Sequence, residues 1–176
     1  MVSKIDKPKV FNERRIECDR ALRKLKTMTN IRCLCDLSWD NFESCKDVIM
    51  DETSTKRAKH AVYENARAIR AANCLRVGNI RRFGVLMNES HMSLKNDYEV
   101  SCPELDFLVS KAWTIPGVIG SRMHGSGFGG CTVSIVADEA VDEFKEKLSR
   151  EYEENFGIEP EFYMAEPVDG AREIWV

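Results

Sequence analysis

The chain has 176 residues, of which 43% are hydrophobic and 31% charged, and its net charge is −3; this composition is typical of one globular domain with its own core. It excludes a membrane helix, which needs an apolar run of roughly 18 residues, and the N-terminal residues lack the apolar core of a signal peptide. Seven cysteines form no CxxC pair, so we expect free thiols in a reducing, cytoplasmic environment.

Positive charge is concentrated in the first part of the chain. Up to Arg82 there are 19 lysines and arginines against 11 acidic residues, and beyond it 7 against 18. Because acids and bases alternate along helical faces, this pattern indicates solvated helices, and no nucleic-acid partner is predicted. Cys33, Cys35, Cys45 and His60 match no common zinc spacing, so no metal site is predicted there.

The first part of the chain is predicted to be helical. Residues 1–11 are polar and lack periodicity, and Asn12 is a candidate N-cap for the first helix. A short helix is expected from about Asp40 to Met50. The apolar stripe of the first helix recurs at helical spacing and consists of Cys18, Ala21, Leu22, Leu25 and Met28.

Two longer helices follow and are expected to form an antiparallel pair. The first runs from about Thr53 to Val77, ends at Gly78 as a C′ glycine would end it, and carries His60 as a structural histidine. The second runs from Asn79 to about Leu94, where Gly84 predicts close helix packing. The predicted inner faces are Val62, Ala66, Ile69, Ala72 and Leu75 in the first helix, and Ile80, Phe83, Met87 and Leu94 in the second.

The second half of the chain mixes strands and helices. Ser101 to Glu104 has the pattern of a capping box before a helix over Glu104–Trp113. A strand begins at Val118, a second covers Thr132–Val136, and a helix capped by Asp138 ends at Gly157. Two last strands are expected over residues 161–165 and 171–176. This order predicts the α+β class, with an antiparallel sheet covered by helices.

Glycine is concentrated between the first two of these strands. Six of the ten glycines lie from Gly117 to Gly130, and Gly125, Gly127 and Gly130 satisfy G-x-G-x-x-G. A strand follows where a dinucleotide fold needs a helix, and the Gly-Lys-Ser/Thr of a Walker loop is absent. The V-A-I-K, H-R-D and D-F-G motifs of protein kinases are missing too. A phosphate cradle and a plain turn both remain open from these residues alone.

Three segments together resemble one family. Phe11–Cys18 (FNERRIEC) resembles the Y-N-x-R-R-x-E-C region of galactokinases, and Ser93–Asp106 (SLKNDYEVSCPELD) is similar to that family's hallmark segment. Pro116–Val133 resembles its third motif, a glycine loop that GHMP kinases share more widely. From about Phe11 to its end the chain is therefore identified as a member of the galactokinase family. The resemblance implies that residues 1–176 are a GHMP kinase C-terminal domain, with a ferredoxin-like core and an N-terminal helical hairpin.

The resemblance also implies a function for the whole family. Galactokinases transfer the γ-phosphoryl of ATP, with Mg²⁺, to the C1 hydroxyl of galactose. The family's G-E-H-x-D segment, P-x-G-x-G-L-S-S-S loop and catalytic Asp with its Arg do not occur here. We therefore expect no catalytic or metal-binding residue in this chain, and activity only with an N-terminal kinase domain in cis or in trans. The residues implied to line the site for ATP are Gly125, Ser126, Gly127, Phe128, Gly129 and Gly130.

This chain departs from the family pattern at two positions. Phe11 stands where the family has a sugar-contacting Tyr, so the resemblance implies substrate binding by Phe11 without the hydroxyl's hydrogen bond, worth about 0.5–1.5 kcal/mol. His124 stands where the family has Thr and is expected to be exposed. Arg122 has two interpretations, an anion clamp or a structural ion pair. The alternative function is a non-catalytic sugar- or nucleotide-binding module, and an uncovered apolar face makes a homodimer one expected assembly.

Overall fold

Six α-helices and one β-hairpin form the regular structure of the residues that the computed structural model describes, which are 7–168, 170 and 173. The α+β class is confirmed, since helices cover a two-stranded antiparallel sheet. The elements are α1 (Lys7–Leu25), α2 (Trp39–Cys45), α3 (Glu52–Arg76), α4 (Ile80–Ser93), α5 (Pro103–Ala112), β1 (Val118–His124), β2 (Cys131–Val136) and α6 (Val141–Phe156).

The helices α1, α2 and α3 share one core, which contains Ala21, Leu25, Phe42 and Val62. The prediction that Asn12 caps α1 is wrong, because the helix already begins at Lys7. A proline in a first turn lacks only an N–H that has no partner within the helix, so the Lys-Pro-Lys sequence is compatible with an early start. The short helix is confirmed as α2, which Ser38 caps and a 3₁₀ turn over Lys46–Ile49 extends.

The two halves of α3 differ in burial. Its first turns are capped by Asp51 and bury Ala58 and Val62. Its last turns project beyond the core, so the predicted inward position of Ile69 and Leu75 is wrong: these side chains are 58% and 53% exposed. A regular apolar stripe shows which residues share a helix face, but it does not show how far the neighbouring core extends along that face.

The contact between α4 and β1 confirms the close approach predicted at Gly84, although the partner is a strand. A Cβ built on Gly84 would lie within 3.0 Å of the Ile119 backbone, and one on Gly120 would meet the backbone of Gly84 in turn. Side chains of α4 also satisfy the outer edge of β1. The Ser121 N–H donates to Asn88 Oδ1 (2.9 Å), and the Met123 N–H donates to His91 Nδ1 (3.2 Å).

The strands β1 and β2 pair in register from Gly120–Ile135 to His124–Cys131. Helices α5 and α6 cover the sheet through a cluster of Ala112, Ile115, Phe144 and Leu148. As predicted, Gly157 ends α6 with a left-handed conformation.

Three predictions of the second half are wrong. Cys102, not Ser101, occupies the N-cap of α5, and the Ser101 hydroxyl donates to Asp106 Oδ1 (2.6 Å) instead. Asp138 begins a 3₁₀ turn that precedes α6 and makes no side-chain cap. Residues 161–165 form no strand: Tyr163 and Met164 are 80% and 71% exposed, and no described segment pairs with their backbone. The strand predicted at 171–176 lies outside the described residues apart from 173.

Candidate functional site

The glycine loop, residues Gly125–Gly130, joins the end of β1 to the start of β2. Four consecutive residues have positive φ, from Gly127 (81°) through Phe128 (55°) to Gly129 (110°) and Gly130 (103°). Three of these are glycines because a side chain is strained in this region. The loop backbone therefore has a conformation that an ordinary turn sequence does not adopt.

The base of the loop is held against the segment that precedes α5. The Phe128 N–H donates to the Val100 carbonyl (2.8 Å), and a Cβ built on Gly127 would lie within 3.0 Å of the same oxygen. The Phe128 ring packs against the small core of Val100, Leu105 and Met123. By contrast, Gly125 and Gly130 have no atom within 4 Å of a built Cβ, so no neighbouring group packs against the tip of the loop at these two positions.

The structure brings together the two regions that sequence reasoning singled out. Phe11, on α1, contacts Phe128 edge to face, with ring centroids 6.2 Å apart and planes at 77°. Phe11 is 36% exposed, so one face of its ring remains accessible beside the loop. Ser126 is also exposed. The loop and the first turns of α1 therefore meet at one surface, in which Gly127 itself is buried.

Two arginines that sequence reasoning did not assign lie beneath this surface. Arg57 is buried and donates to Glu17 Oε2 (2.8 Å) and Glu99 Oε2 (2.8 Å), and Arg14 donates to the Tyr98 carbonyl (2.7 Å). The hydrogen bond from Arg57 lowers the pKa of the Glu99 carboxyl. Helical periodicity did not single out Arg57, because it precedes Val62 by five residues and so lies on a different side of the helix from the predicted apolar stripe.

The same layer holds a buried histidine. His60 Nδ1 lies 2.9 Å from the Ser93 hydroxyl, and its ring stacks on Tyr98 at 4.5 Å. This agrees with the predicted structural histidine. Burial lowers the pKa of His60 to about 4, and burial raises the pKa of the nearby Cys18 thiol to about 11. At neutral pH both groups are uncharged, so the low pKa makes His60 a weak base and the high pKa keeps Cys18 a thiol.

The remaining candidates have structural partners. Arg122 Nη1 lies 3.7 Å from Glu64 Oε1, and its Nε donates to the Met123 carbonyl (3.0 Å), which is the structural alternative. His124 is exposed at the end of β1, as predicted. Among the described residues, no three His, Cys, Asp or Glu side chains are grouped so that they could hold a metal ion.

Two grooves lie away from the loop. One, of about 560 Å³, is lined by Trp39, Tyr63, Met92 and Trp113, among others, and another of about 410 Å³ lies beside α2. Neither includes a residue of the glycine loop. No helix in the described part of the chain is long and apolar enough to cross a membrane.

Comparison with known proteins identifies the family. The sequence model described as "GHMP kinases C terminal" matches residues 61–154. The galactokinases of Bacillus subtilis and Clostridium acetobutylicum are each 52% identical to this chain over 164 residues, which cover 93% of this chain and 42% of each relative. The chain thus spans about two fifths of the length of these relatives.

Structural comparison gives the same result. The crystal structure of Lactococcus lactis galactokinase complexed with galactose superposes with a TM-score of 0.86 and 43% sequence identity, over 92% of this chain and 41% of that one. At this identity the likeness extends to sequence as well as to fold. The chain therefore belongs to the GHMP kinase C-terminal family and matches a C-terminal portion of galactokinases.

Proposed function

We propose that this chain supplies one wall of a galactokinase-like site, in which the γ-phosphoryl of ATP passes to the C1 hydroxyl of galactose. The observation that carries this proposal is the edge-to-face contact of Phe11 with Phe128. It joins two segments, far apart in the chain, that each resemble a galactokinase motif. The galactokinase relatives support the assignment of ATP and a sugar as substrates.

The loop contributes through its backbone. Phosphoryl transfer depends on positioning and on stabilising charge at the phosphoryl oxygens, and preorganised N–H groups do both. The open side of the loop at Gly125 and Gly130 leaves room for such a ligand. The contact of Gly127 and Phe128 with Val100 fixes the opposite side before any ligand binds. This arrangement fits a loop that lines the phosphate and sugar of the substrates.

The described residues do not fit Mg²⁺, which prefers carboxylate oxygens with free coordination positions. Asp97 pairs with Lys59 (3.0 Å), Asp106 with Lys95 (2.8 Å), and Glu99 with Arg57 (2.8 Å). We therefore assign the metal, the catalytic base and the phosphate loop to a partner kinase domain. Alone, the chain is expected to be inactive as a kinase.

Phe11 sets the expected contact with the sugar. Its partly exposed ring offers an apolar face to a sugar ring, whereas the family's Tyr also offers a hydroxyl. Losing one such hydrogen bond weakens binding by about 0.5–1.5 kcal/mol. We expect galactose to bind more weakly than in relatives with Tyr, and Phe11→Tyr to recover that difference.

We also propose that residues 1–176 form one domain of a cytoplasmic protein. The seven cysteines are all free, as a reducing compartment favours. Apolar side chains such as Ile69, Leu75 and Val77 are exposed, and a second copy of this chain or the kinase domain would cover such residues.

The proposal is tested by reconstitution. The chain is mixed with the N-terminal part of the Bacillus subtilis galactokinase, and ATP-dependent phosphorylation of galactose is measured for each chain alone and for the pair. We expect turnover by the pair alone. Calorimetry with ATP–Mg²⁺ and galactose separates the alternative: clear binding to a folded pair without turnover would contradict the kinase proposal and favour a non-catalytic binding module.

A further inference from the structure

We propose that Arg14 and Arg57 are positioning residues that set the glycine loop through three consecutive backbone carbonyls. Together they donate to the carbonyl oxygens of Asp97, Tyr98 and Glu99. The next residue is Val100, whose carbonyl accepts the Phe128 N–H. The assignment of a use to the loop rests on the proposed function, whereas the mechanical link between the arginines and the loop does not.

Arg57 is the buried half of this clamp, with a side chain only 3% exposed. Its Nη1 donates to the Asp97 carbonyl (2.6 Å), while Nε and Nη2 donate to Glu17 and Glu99. Three directed bonds from one planar guanidinium define its orientation, which a lysine ammonium would not reproduce. Because these partners come from α1 and from the turn after α4, Arg57 ties three elements together.

Arg14 is the outer half. Its Nε donates to the Tyr98 carbonyl (2.7 Å) and its Nη2 to the Glu99 carbonyl (3.1 Å). Glu17 accepts from Arg14 (3.1 Å) and from Arg57 (2.8 Å) through the same oxygen. One carboxylate therefore aligns both guanidinium groups, which donate hydrogen bonds to consecutive carbonyl oxygens of a single turn.

The held segment has an unusual conformation. Residues 94–98 form a π-helical turn, and Glu99 follows with φ of 55° although it is not a glycine. A left-handed conformation is strained for a residue other than glycine, so the turn needs external contacts to keep this geometry. The arginine bonds supply them. The orientation of the next carbonyl, that of Val100, depends on this turn.

The contacts close into a ring. Phe11 and Arg14 lie three residues apart on the same side of α1. Arg14 donates a hydrogen bond to the turn that precedes Val100, and the Val100 carbonyl accepts a hydrogen bond from the Phe128 N–H. The Phe128 ring in turn contacts the Phe11 ring. A displacement at any member changes where the loop lies relative to α1. This is the relation that a site made of the loop and Phe11 must keep constant.

The test measures amide exchange by NMR on the complete 176-residue chain, without any partner domain. In Arg14→Gln the Phe128 amide should exchange roughly tenfold faster or more, because charge-assisted hydrogen bonds to the turn are lost. The Leu148 amide in α6 should keep its rate, and the nuclear Overhauser effect between the Phe11 and Phe128 rings should weaken. Arg20→Gln is the matched control on α1, since the half-exposed Arg20 side chain pairs with partly exposed Asp51 (3.5 Å).

A variant that retains the positive charge serves as a second test if the neutral variant unfolds. Arg57→Lys retains the positive charge but loses the planar guanidinium and its directed N–H donors. It should therefore still accelerate exchange of the Phe128 amide relative to the Leu148 amide. An equal rise at both amides, which is general destabilisation, would overturn the proposal, and so would unchanged rates at Phe128 in Arg14→Gln and Arg57→Lys. Because this experiment measures no kinase activity, its outcome does not depend on whether the proposed function is correct.

Discussion

A side chain at Gly84 or at Gly127 would overlap backbone atoms near one end of β1. The surroundings of the two glycines differ. Gly84 lies inside α4 and contacts the Ile119 backbone between two regular elements. Gly127 has φ of 81° and contacts the Val100 carbonyl, while Gly125 and Gly130 next to it face open space. Close approach alone therefore indicates packing. Close approach combined with positive φ and an open flank is compatible with the ligand-binding role that we propose for this loop.

The largest effect is expected for Gly84→Ala. The added methyl group would overlap the Ile119 backbone, and neither a helix nor a paired strand can move without losing other contacts. We expect a loss of about 3 kcal/mol or more in the free energy of unfolding. Urea denaturation followed by circular dichroism measures it. A loss below about 1 kcal/mol would show that α4 and β1 are not rigidly packed.

Gly127→Ala should lower the free energy of unfolding less than Gly84→Ala does, but it should disturb the glycine loop more. Left-handed strain and overlap with the Val100 carbonyl together cost about 2 kcal/mol, and the loop relieves part of this by moving. We expect the Phe128 amide to lose its protection while amides of α6 keep theirs. Gly125→Ala is the control, since its Cβ meets nothing. Equal behaviour of the two variants would contradict the distinction between the base and the tip of the loop.

Lowering the pH should reduce the stability of the folded chain, because buried His60 resists protonation. Burial lowers its folded pKa to about 4 from an ordinary value of 6.5, so the unfolded chain binds the proton more readily. The stability that neutral His60 contributes is present above pH 6.5 and is lost as pH falls towards 4, on the order of 3 kcal/mol. His60→Gln should flatten that part of the pH profile of unfolding. An unchanged slope between pH 6.5 and 4 would contradict this.

The smallest effect is expected for Phe11→Ala. Phe11 is partly exposed and contributes mainly its edge-to-face contact with Phe128, worth about 1 kcal/mol. Thermal unfolding should shift by only a few degrees, whereas the chemical shifts of Gly127 and Gly129 should change. Phe11→Tyr keeps the ring and should leave both properties as they are. A large stability loss would mean that Phe11 belongs to the core.

Local patterns predicted most elements, and distant contacts decided the rest. Periodicity and the glycines at positions 78, 84 and 157 predicted α3, α4 and α6 well. The exposure of Ile69 and the absence of a strand at 161–165 could not be predicted, because both depend on which partner lies alongside.

The site shows the same division between local and distant information. The loop and Phe11 stood out as motifs whose functional roles remain predictions. Arg57 was missed, because its partners Glu17, Asp97 and Glu99 meet only after α1 and α3 pack together.

The central claim is that the fixed loop is one wall of a phosphoryl-transfer site. It is tested most directly by the turnover of the reconstituted pair when the chain carries Gly127→Ala, compared with Gly78→Ala, whose added Cβ meets no other atom. We expect Gly127→Ala to lower kcat by about a hundredfold with association unchanged, whereas Gly78→Ala should retain activity. A Gly127→Ala pair that turns over as fast as the unsubstituted pair would contradict it.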